Sequence, residues 1–553
     1  MIKNKMIAII MTLFLLTGIF TGCSSAEPEA GVTGQSQASQ SDAQDSAGSE
    51  LFDIVAVRPI PDDISFPDHD TLEDNVWTRL YASELGINLI YEWTTPAAQY
   101  DQRMNLALTS GKLPDIFQVN ASQLKLLVDD ERIADLSGIY GNHASEFTKS
   151  VMAQDGGSAM ESATFGGKLM AIPKMGSGIG NTNVLWIRSD WLRNLGMNPP
   201  ETMSDVIEIA QAFTKNDPDQ NGANDTYGLA LNKDLFGLGA SLEGFMNGYS
   251  AYPGIWIEGS DGSLGFGDIQ PEIKESLQAL QNLYKDGCID PEFGTKDFYT
   301  VVNGDAGRGN IGMFYGLFWN MGWLTDAKTG NADMEWTPYA VVGTGAGSAF
   351  VQVPFPIDTY YVVSADCERP EVAVEMLNLV LDRSFGENAQ PEIYNVDSEG
   401  RPIFEYPLMY SEPPMKNLDA QKAVTAALAS GDTSALNAEQ KGYFDQVEAY
   451  RAGNRDEGWA QTWAAEQMWS ENGSLAVING YVSGGKLVHD RYFGPATESM
   501  ASYGDILNQT KLQVYTEIIQ GADINSFDEF VSRWKELGGE QITTEVNQWN
   551  NSR

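Results

Sequence analysis

Apolar and polar residues follow two periodic patterns along the chain from residue 51 onwards. Apolar residues at every second position predict strands, and apolar residues three or four positions apart predict helices. The two patterns alternate, strand first, over residues 51–57, 71–85, 87–93, 97–110, 113–119 and 122–130. Strands that alternate with helices are typical of a largely parallel sheet covered by helices, so the sequence predicts an α/β fold.

Further units follow, and the end of the chain is mostly helical. The later patterns occupy, in order, residues 183–196, 203–215, 227–231, 359–366, 370–382, 460–469, 502–521 and 526–539. The strand at 359–366 and the helix at 370–382 predict a return crossover, and the patterns after 460 are all helical. A chain of 553 residues is too long for one compact core, so we expect two or more lobes.

The first residues indicate export. Lys3 and Lys5 precede an apolar run at 6–20, which is too short to span a membrane comfortably, and small residues follow. We interpret residues 1–22 as a signal peptide. Cys23 directly after Thr-Gly resembles a bacterial lipobox, although Phe20 stands where leucine is favoured. That resemblance implies cleavage before Cys23 and a lipid anchor, such as palmitate, on it. The alternative is an ordinary secretory signal with an incidental cysteine.

The segment after Cys23 has the composition of a linker. Residues 24–50 contain a single large apolar side chain, Val32, and cannot bury enough surface to order themselves. We therefore interpret residues 23–50 as a flexible tether. Two cysteines remain, Cys288 and Cys367, which is too few for a disulfide scaffold in a chain this long.

The charge of the chain limits its partners. The chain has 34 basic and 76 acidic residues, a formal net charge of -42. Such a surface repels phosphate backbones and anionic lipid headgroups, which argues against a nucleic-acid partner. It suits a ligand that is neutral, cationic or very small.

The loop in "FTKNDPDQNGANDTYGL", residues 213–229, has part of the residue pattern of an EF-hand calcium-binding loop. The candidate ligands, in EF-like register, are the side chains of Asp217, Asp219, Asn221 and Asp225 and the carbonyl of Ala223. Gly222 falls at the turn position, but Gly228 stands where an EF-hand places its glutamate. We interpret the loop as a structural Ca²⁺ site. The alternative is a polar turn, since Asp, Asn and Gly are turn formers.

The common catalytic motifs are absent from the sequence. It contains no G-x-S-x-G elbow and no phosphate-binding G-x-x-x-x-G-K-[ST] loop, and His69, His143 and His489 are widely scattered. A glycosidase needs two carboxylates at a set distance, which a sequence this acidic leaves open. We expect a binding protein, with a secreted glycan-active hydrolase as an alternative.

A family resemblance becomes visible at "NLALTSGKLPDIFQV". This stretch resembles a signature of bacterial extracellular solute-binding proteins of the family-1 sugar type, the lipoproteins that feed ABC importers. The stretches that agree with it in order are "ADLSGIY", "ATFGGKLMAIP", "VLWIRSDWLRNLGMNPPETMSDVIEIAQAFTKNDPDQNG", "LYKDGCIDPEF", "VVSADCERPEVAVEML" and "FDEFVSRWKELGGEQITTEVNQWN". Together they span nearly all of residues 51–549.

The resemblance implies a two-lobed, maltodextrin-binding-protein-like fold of periplasmic-binding-protein type II, with a hinge and a cleft between the lobes. We assign residues 51–173 and 359–440 to lobe 1 and residues 174–358 and 441–553 to lobe 2. The implied function is a membrane-tethered, extracellular subunit that delivers a carbohydrate, an oligosaccharide in type, to the permease subunits of an ABC importer. A sugar sensor with a signalling partner is a further alternative.

The resemblance also bears on the calcium loop. Some oligosaccharide-binding members of the family carry structural Ca²⁺ in such a loop, and they place a second acid where Thr226 stands in this chain.

Candidate ligand residues follow from where sugars bind in such folds. The cleft is expected at the loops after the carboxyl ends of the strands, with aromatic rings that stack on sugar rings and polar groups that bind hydroxyls. The candidates are Asp62, Trp93, Asn120, Asn183, Trp319, Trp323 and Tyr360. For each aromatic residue the alternative is core packing, and for each polar residue it is a turn or cap.

Overall fold

The structure is a computed structural model that describes residues 51–61, 64–66, 70–176, 178–398, 401 and 403–552. The predicted signal peptide, Cys23 and the predicted tether lie outside the described residues, and so does Asp62. In the part that is described, no helix has the length and apolar character needed to cross a membrane.

The chain forms a mixed α/β structure, as the sequence pattern predicts. The strands are β1 Phe52–Ile60, β2 Ile87–Pro96, β3 Ile116–Val119, β4 Thr164–Phe165, β5 Lys168–Leu169, β6 Ile172–Pro173, β7 Val184–Arg188, β8 Tyr227–Leu229, β9 Trp256–Glu258, β10 Leu264–Phe266, β11 Ile311–Gly316, β12 Trp336–Tyr339, β13 Val351–Val353, β14 Tyr360–Val363 and β15 Leu487–His489. The α-helices are α1 Val76–Leu85, α2 Ala97–Ser110, α3 Ala121–Asp129, α4 Ser137–His143, α5 Glu146–Met152, α6 Ser158–Ser162, α7 Ser189–Leu195, α8 Met203–Lys215, α9 Glu243–Asn247, α10 Pro271–Lys285, α11 Thr325–Gly330, α12 Glu371–Phe385, α13 Pro391–Tyr394, α14 Lys416–Ser430, α15 Ala438–Arg451, α16 Trp459–Trp469, α17 Ser474–Ser483, α18 Glu498–Ile519, α19 Ser526–Trp534 and α20 Glu540–Asn551.

The first large sheet has the order β2-β1-β3-β14-β6. Strands β1, β2 and β3 are parallel, and β14 returns antiparallel between β3 and β6. The buried residues around this sheet form one hydrophobic core, drawn from residues 54–175 and 357–409. We call this part the first core.

The second large sheet has the order β12-β7-β11-β8. Strands β11 and β8 are parallel, and β7 is antiparallel to both β11 and β12. A separate hydrophobic core, the second core, surrounds this sheet and draws on residues 184–351 and 418–546. The C-terminal helices therefore complete the second core.

Three chain segments pass between the two cores, and we call them the crossing segments. They lie at 174–183, 354–359 and 410–415 and are bonded to one another. Lys174 N–H donates to the Thr359 carbonyl (2.9 Å), and Met175 N–H donates to Ser411 Oγ (3.1 Å). Gly178 lies so close to Pro356 that an added Cβ would approach the proline Cβ to 2.7 Å, so this glycine allows two crossing segments to touch.

Most predicted elements are present, and their differences from the prediction have physical reasons. Helices α2 and α8 have the predicted bounds. Strand β2 runs to Pro96, three residues beyond the predicted end of this strand at residue 93. A bulge keeps β2 paired with β1 beyond Ala56, which extends the strand. Helix α14, assigned to lobe 1 from the sequence, packs into the second core through Leu418, Ala420 and Val424.

The two cysteines lie apart. Cys288 is buried in the second core and Cys367 in the first, and both are free thiols. Burial raises the pKa of the Cys367 thiol to about 11, so this side chain is an inert core group at neutral pH.

Candidate ligand-binding cleft

Three of the predicted ligand residues share one edge of the first sheet. Strands β1, β2 and β3 are parallel, so their carboxyl ends meet at this edge, and Trp93 lies in β2 three residues before its end, paired with Val57. Asn120 directly follows β3, and Tyr360 begins β14 opposite Val119. The chain thus brings Trp93, Asn120 and Tyr360 to the edge from which the crossing segments leave.

Trp93 is held by its neighbours in a half-buried position. Its ring lies 5.7 Å from the ring of Tyr100, and the guanidinium of Arg103 stands 4.3 Å from its centroid. The Tyr100 hydroxyl donates to the Gln118 carbonyl (3.0 Å) and ties this cluster to β3. A tryptophan fixed in this way keeps part of its surface for a ligand without a large entropy cost on binding.

Asn120 and Tyr360 already have partners within the fold. Asn120 caps α3, since its Oδ1 accepts from Gln123 N–H (2.9 Å). Tyr360 is only 1% exposed, and its hydroxyl donates to Ser162 Oγ (2.9 Å). Burial raises the pKa of Tyr360 to about 12. Their role in ligand binding stays a prediction.

Asn183 and Trp319 lie at the corresponding edge of the second sheet. Asn183 precedes β7, whose first residue Val184 pairs with Gly316 at the end of β11. Trp319 follows β11 three residues later. Asn183 is buried, and its Oδ1 accepts from Ser241 Oγ (3.2 Å). The crossing segment at 174–183 therefore enters the second sheet at this edge.

Trp319 and Trp323 belong to an aromatic cluster that also includes Phe298 and Tyr299. The ring centroids of Trp319 and Trp323 are 4.7 Å apart. Phe298 lies 4.5 Å and Tyr299 4.9 Å from Trp323. Tyr299, which is 57% exposed, is not among the residues predicted from the sequence. Its sequence signal is an aromatic pair, "DFYT", just before a segment without clear periodicity.

A cavity of about 380 Å³ lies beside the crossing segments. The first core contributes Asp155, Ser158 and Glu161 to its wall, and the second core contributes His489 and Arg491. Further lining residues, from the crossing segments and the end of β15, are Gly178, Pro354, Phe355, Asp490 and Phe493. The predicted residues lie at the sheet edges rather than in this wall. Apart from His489 in "LVHDRYF", no local sequence pattern predicts the residues that line this cavity.

Two titratable groups of this wall are perturbed by burial. Asp490 accepts from the N–H groups of Trp256 and Tyr492 (both 3.0 Å), yet burial raises the pKa of its carboxyl to about 6. The pKa of His489 is lowered, first by burial and then by the positive charge of Arg491, while the charge of Asp155 opposes the shift. Asp490 also anchors the start of the second crossing segment, because its N–H donates to the Val353 carbonyl (3.0 Å).

We expect the stability contribution of Asp490 to fall as pH rises. A carboxyl with a raised pKa binds its proton more tightly in the folded state, so its contribution is full below the unfolded pKa near 3.8 and is lost through about pH 6. Relative to the Asp490→Asn variant, the wild type should gain about 2 kcal/mol in free energy of unfolding between pH 7 and pH 4. Urea unfolding of both proteins at the two pH values measures this difference. Parallel pH profiles would contradict it.

The predicted calcium loop follows α8 and closes on itself. Gly222 has a φ of 80°, a left-handed conformation that fits glycine at the turn position. The carboxylate of Asp217 accepts from the N–H groups of Asn221 and Gly222 (both 3.1 Å). Thr226 is buried, and its hydroxyl donates to the Phe213 carbonyl (2.7 Å).

The carboxylates of this loop lie close to one another, and one of their oxygens has no partner. Asp219 Oδ1 is buried without a hydrogen-bond partner. Burial raises the pKa of Asp219, and the neighbouring carboxylates of Asp217 and Asp225 raise it further. The amide nitrogen of Asn221 lies between Asp219 Oδ2 (2.8 Å) and Asp225 Oδ1 (3.3 Å), where a positive charge would stabilise both. Among the residues that the structure describes, no group of three or more His, Cys, Asp or Glu side chains is gathered closely enough to hold a metal by itself.

Three curated proteins are similar to part of this chain. The polygalacturonan/rhamnogalacturonan-binding protein YtcQ of Bacillus subtilis is 29% identical over 222 residues, 39% of this chain and 40% of YtcQ. Lipoprotein LipO of Bacillus subtilis is 26% identical over 38% of this chain and 42% of LipO. The fructooligosaccharide ABC transporter substrate-binding protein FusA of Streptococcus pneumoniae is 26% identical over 40% of this chain and 42% of FusA. The matches thus span about two fifths of these relatives.

Solved structures match nearly the whole chain in fold. FusA in complex with kestose superposes with a TM-score of 0.56 at 14% identity and covers 91% of this chain and 99% of its own. An extracellular solute-binding protein from Bifidobacterium longum subsp. infantis gives a TM-score of 0.61 at 14% identity, covering 91% and 98%. The predicted two-lobed type II fold is therefore confirmed. The profile of the bacterial extracellular solute-binding proteins matches residues 65–384, more than half of the sequence, and the chain belongs to this family.

Proposed function

We propose that the protein is the extracellular substrate-binding subunit of an ABC importer and that its ligand is an oligosaccharide. One observation carries the proposal. The crossing segment at 174–183 leaves the first sheet at the edge with Asn120 and Tyr360 and enters the second sheet at the edge with Asn183 and Trp319. A ligand between these edges contacts aromatic and amide groups of both halves. Carbohydrates, with apolar ring faces and many hydroxyls, match such a surface. YtcQ and FusA, both partly similar, are named as carbohydrate-binding proteins.

The mechanism follows from the two-core architecture. A ligand that contacts both edges binds a closed arrangement better than an open one, and it shifts the population between them by that difference in affinity. Trp93 and Asn120 would hold it from the first core, and Asn183, Trp319 and Trp323 from the second. The crossing segments would act as the hinge, because they connect the two cores along the chain. The permease subunits would recognise the closed form.

The location proposed for the protein is the outer face of the cell membrane. Cys23 would carry the lipid, and residues 23–50 would hold the folded body away from the bilayer. One partial relative is named a lipoprotein, which supports the same arrangement.

The proposal also includes a structural Ca²⁺ ion in the loop at 217–225. Asp217, Asp219, Asn221 and Asp225 would supply side-chain oxygens, and Ala223 its carbonyl. The ion would neutralise the crowded carboxylates and fix the connection between α8 and β8. Two solved structures of similar fold support this part of the proposal: one is an EF-hand mutant of FusA, and the other is the alginate-binding protein AlgQ2 without calcium ion.

Thermal unfolding of residues 24–553 across a panel of oligosaccharides tests the main proposal. A ligand that binds only the folded state raises the melting temperature, and at a hundredfold excess over its dissociation constant it adds about 2.7 kcal/mol to the free energy of unfolding. We expect a shift with one sugar class and recovery of that sugar intact. No shift with any sugar would overturn the carbohydrate proposal, and a shortened sugar would identify a hydrolase.

A further inference from the structure

Tyr299 and Trp323 form a stacked pair beyond the end of β11, at the same edge of the second sheet as Asn183. Their ring centroids are 4.9 Å apart with an angle of 22° between the planes. Trp323 is also contacted by Phe298 (4.5 Å) and Trp319 (4.7 Å), so three protein rings surround it. Tyr299, in contrast, keeps more than half of its surface exposed. Trp323 is thus the support of this pair, and Tyr299 is the ring that a ligand can reach.

The surroundings of Tyr299 hold its ring in place. The residue directly precedes a π-helix at Thr300–Ala306, a local geometry that is frequent at functional sites. Thr300 N–H donates to Asp297 Oδ1 (2.8 Å), which fixes the turn before the π-helix. Leu238 is also exposed, and its carbonyl accepts from Asn320 Nδ2 (3.2 Å) in the turn after β11. An exposed ring that is rigid before binding loses little entropy when it is covered.

We propose that Tyr299 is an outer stacking platform for an additional, uncharged sugar ring of the ligand. The proposal rests on the proposed function and names the ligand chemistry more closely. A flat aromatic face suits the apolar face of a sugar ring. Asp297, two residues away and exposed, can accept hydroxyl hydrogen bonds. Because Lys233 lies near enough to act on the Asp297 carboxylate, the bias against a uronic acid comes from the net charge of -42 of the whole chain. The platform therefore favours neutral chains over uronic-acid chains, and longer chains over shorter ones.

Titration calorimetry on residues 24–553 tests the platform with defined probes. The neutral probes are kestose and nystose, maltotriose and maltotetraose, and xylotriose and xylotetraose, and the anionic probe is trigalacturonate. We expect the wild type to prefer a neutral tetrasaccharide to the matching trisaccharide. Tyr299→Ala should weaken binding of the tetrasaccharide about tenfold and remove the preference for length. Tyr299→Phe, which keeps the ring, should bind as the wild type does.

A matched control distinguishes loss of the Tyr299 platform from the effect on affinity of removing any exposed tyrosine ring. Tyr503 in α18 is also exposed, and Tyr503→Ala should leave every affinity unchanged. The melting temperature of Tyr299→Ala without sugar should fall only slightly, because the side chain is more than half exposed and its removal costs one stacking contact, with Trp323. Neutral sugars bound equally well by the wild type and Tyr299→Ala would overturn the platform but not the proposed function. Tighter binding of trigalacturonate than of every neutral probe would overturn the preference for uncharged rings. Binding of no carbohydrate would overturn both proposals.

Discussion

The Lys328→Met variant should lose about 3–5 kcal/mol of free energy of unfolding, the largest effect that we expect from a single substitution. Lys328 in α11 is 1% exposed, and its ammonium donates to the carbonyls of Ala332 (2.8 Å) and Met334 (2.6 Å) and to Glu335 Oε1 (2.6 Å). Methionine keeps most of the side-chain volume, but it leaves these two carbonyls and the Glu335 oxygen without their donor. The Glu335 carboxylate also loses its neighbouring positive charge. Urea unfolding monitored by circular dichroism measures the loss.

A double variant separates the charge from the packing. Glu335 also accepts from Trp463 Nε1 (3.0 Å) and from the Tyr450 hydroxyl (3.3 Å), so it connects the start of β12 with α15 and α16. In Lys328→Met with Glu335→Gln the uncompensated charge is gone, and we expect a smaller loss than in Lys328→Met alone. Lys422→Met, at an exposed position of α14, serves as the control. A loss below about 1 kcal/mol in Lys328→Met would show that this ion pair is not needed for stability.

The sequence predicts elements whose signal is local. The amphipathic period of residues 203–215 and the Thr202–Asp205 capping box define α8 without knowledge of the rest of the fold. The parallel arrangement of β1, β2 and β3 follows from the alternation of strands and helices. Trp186 and Trp191, within the predicted unit at 183–196, are fully buried in the second core.

The site depends on contacts between residues far apart in the chain, which no local pattern carries. The wall around Asp490 exists because β15 pairs with β13, whose residues lie more than 130 positions earlier. Tyr299 becomes a platform only because Trp323, beyond β11, supports it. Tryptophans stand out in the sequence for their chemistry, yet burial decides which ring a ligand can reach. Strand β2 is predicted to end at Trp93 because the pairing that extends it to Pro96 is also nonlocal.

Removal of calcium should lower the stability of the wild type by about 4 kcal/mol when the ion is supplied at a thousandfold excess over its dissociation constant, since an ion that binds only the folded state stabilises it by mass action. The effect should vanish in Asp219→Asn. In this variant the buried Oδ1 of Asp219 no longer belongs to a carboxylate, and the site loses a charged ligand.

The order of stabilities should reverse between the two conditions. With chelator, Asp219→Asn should be at least as stable as the wild type, because it removes the repulsion with Asp217 and Asp225 that raises the pKa of Asp219. With calcium, the wild type should be the more stable protein. Asp261→Asn is the matched control, since Asp261 also holds a surface turn, through Ser263, but without neighbouring carboxylates in that turn. Urea unfolding of the three proteins with calcium and with chelator gives all the values. If the wild type unfolds identically in both, the loop is a polar turn, and its oxygen register reflects the turn preferences of Asp, Asn and Gly.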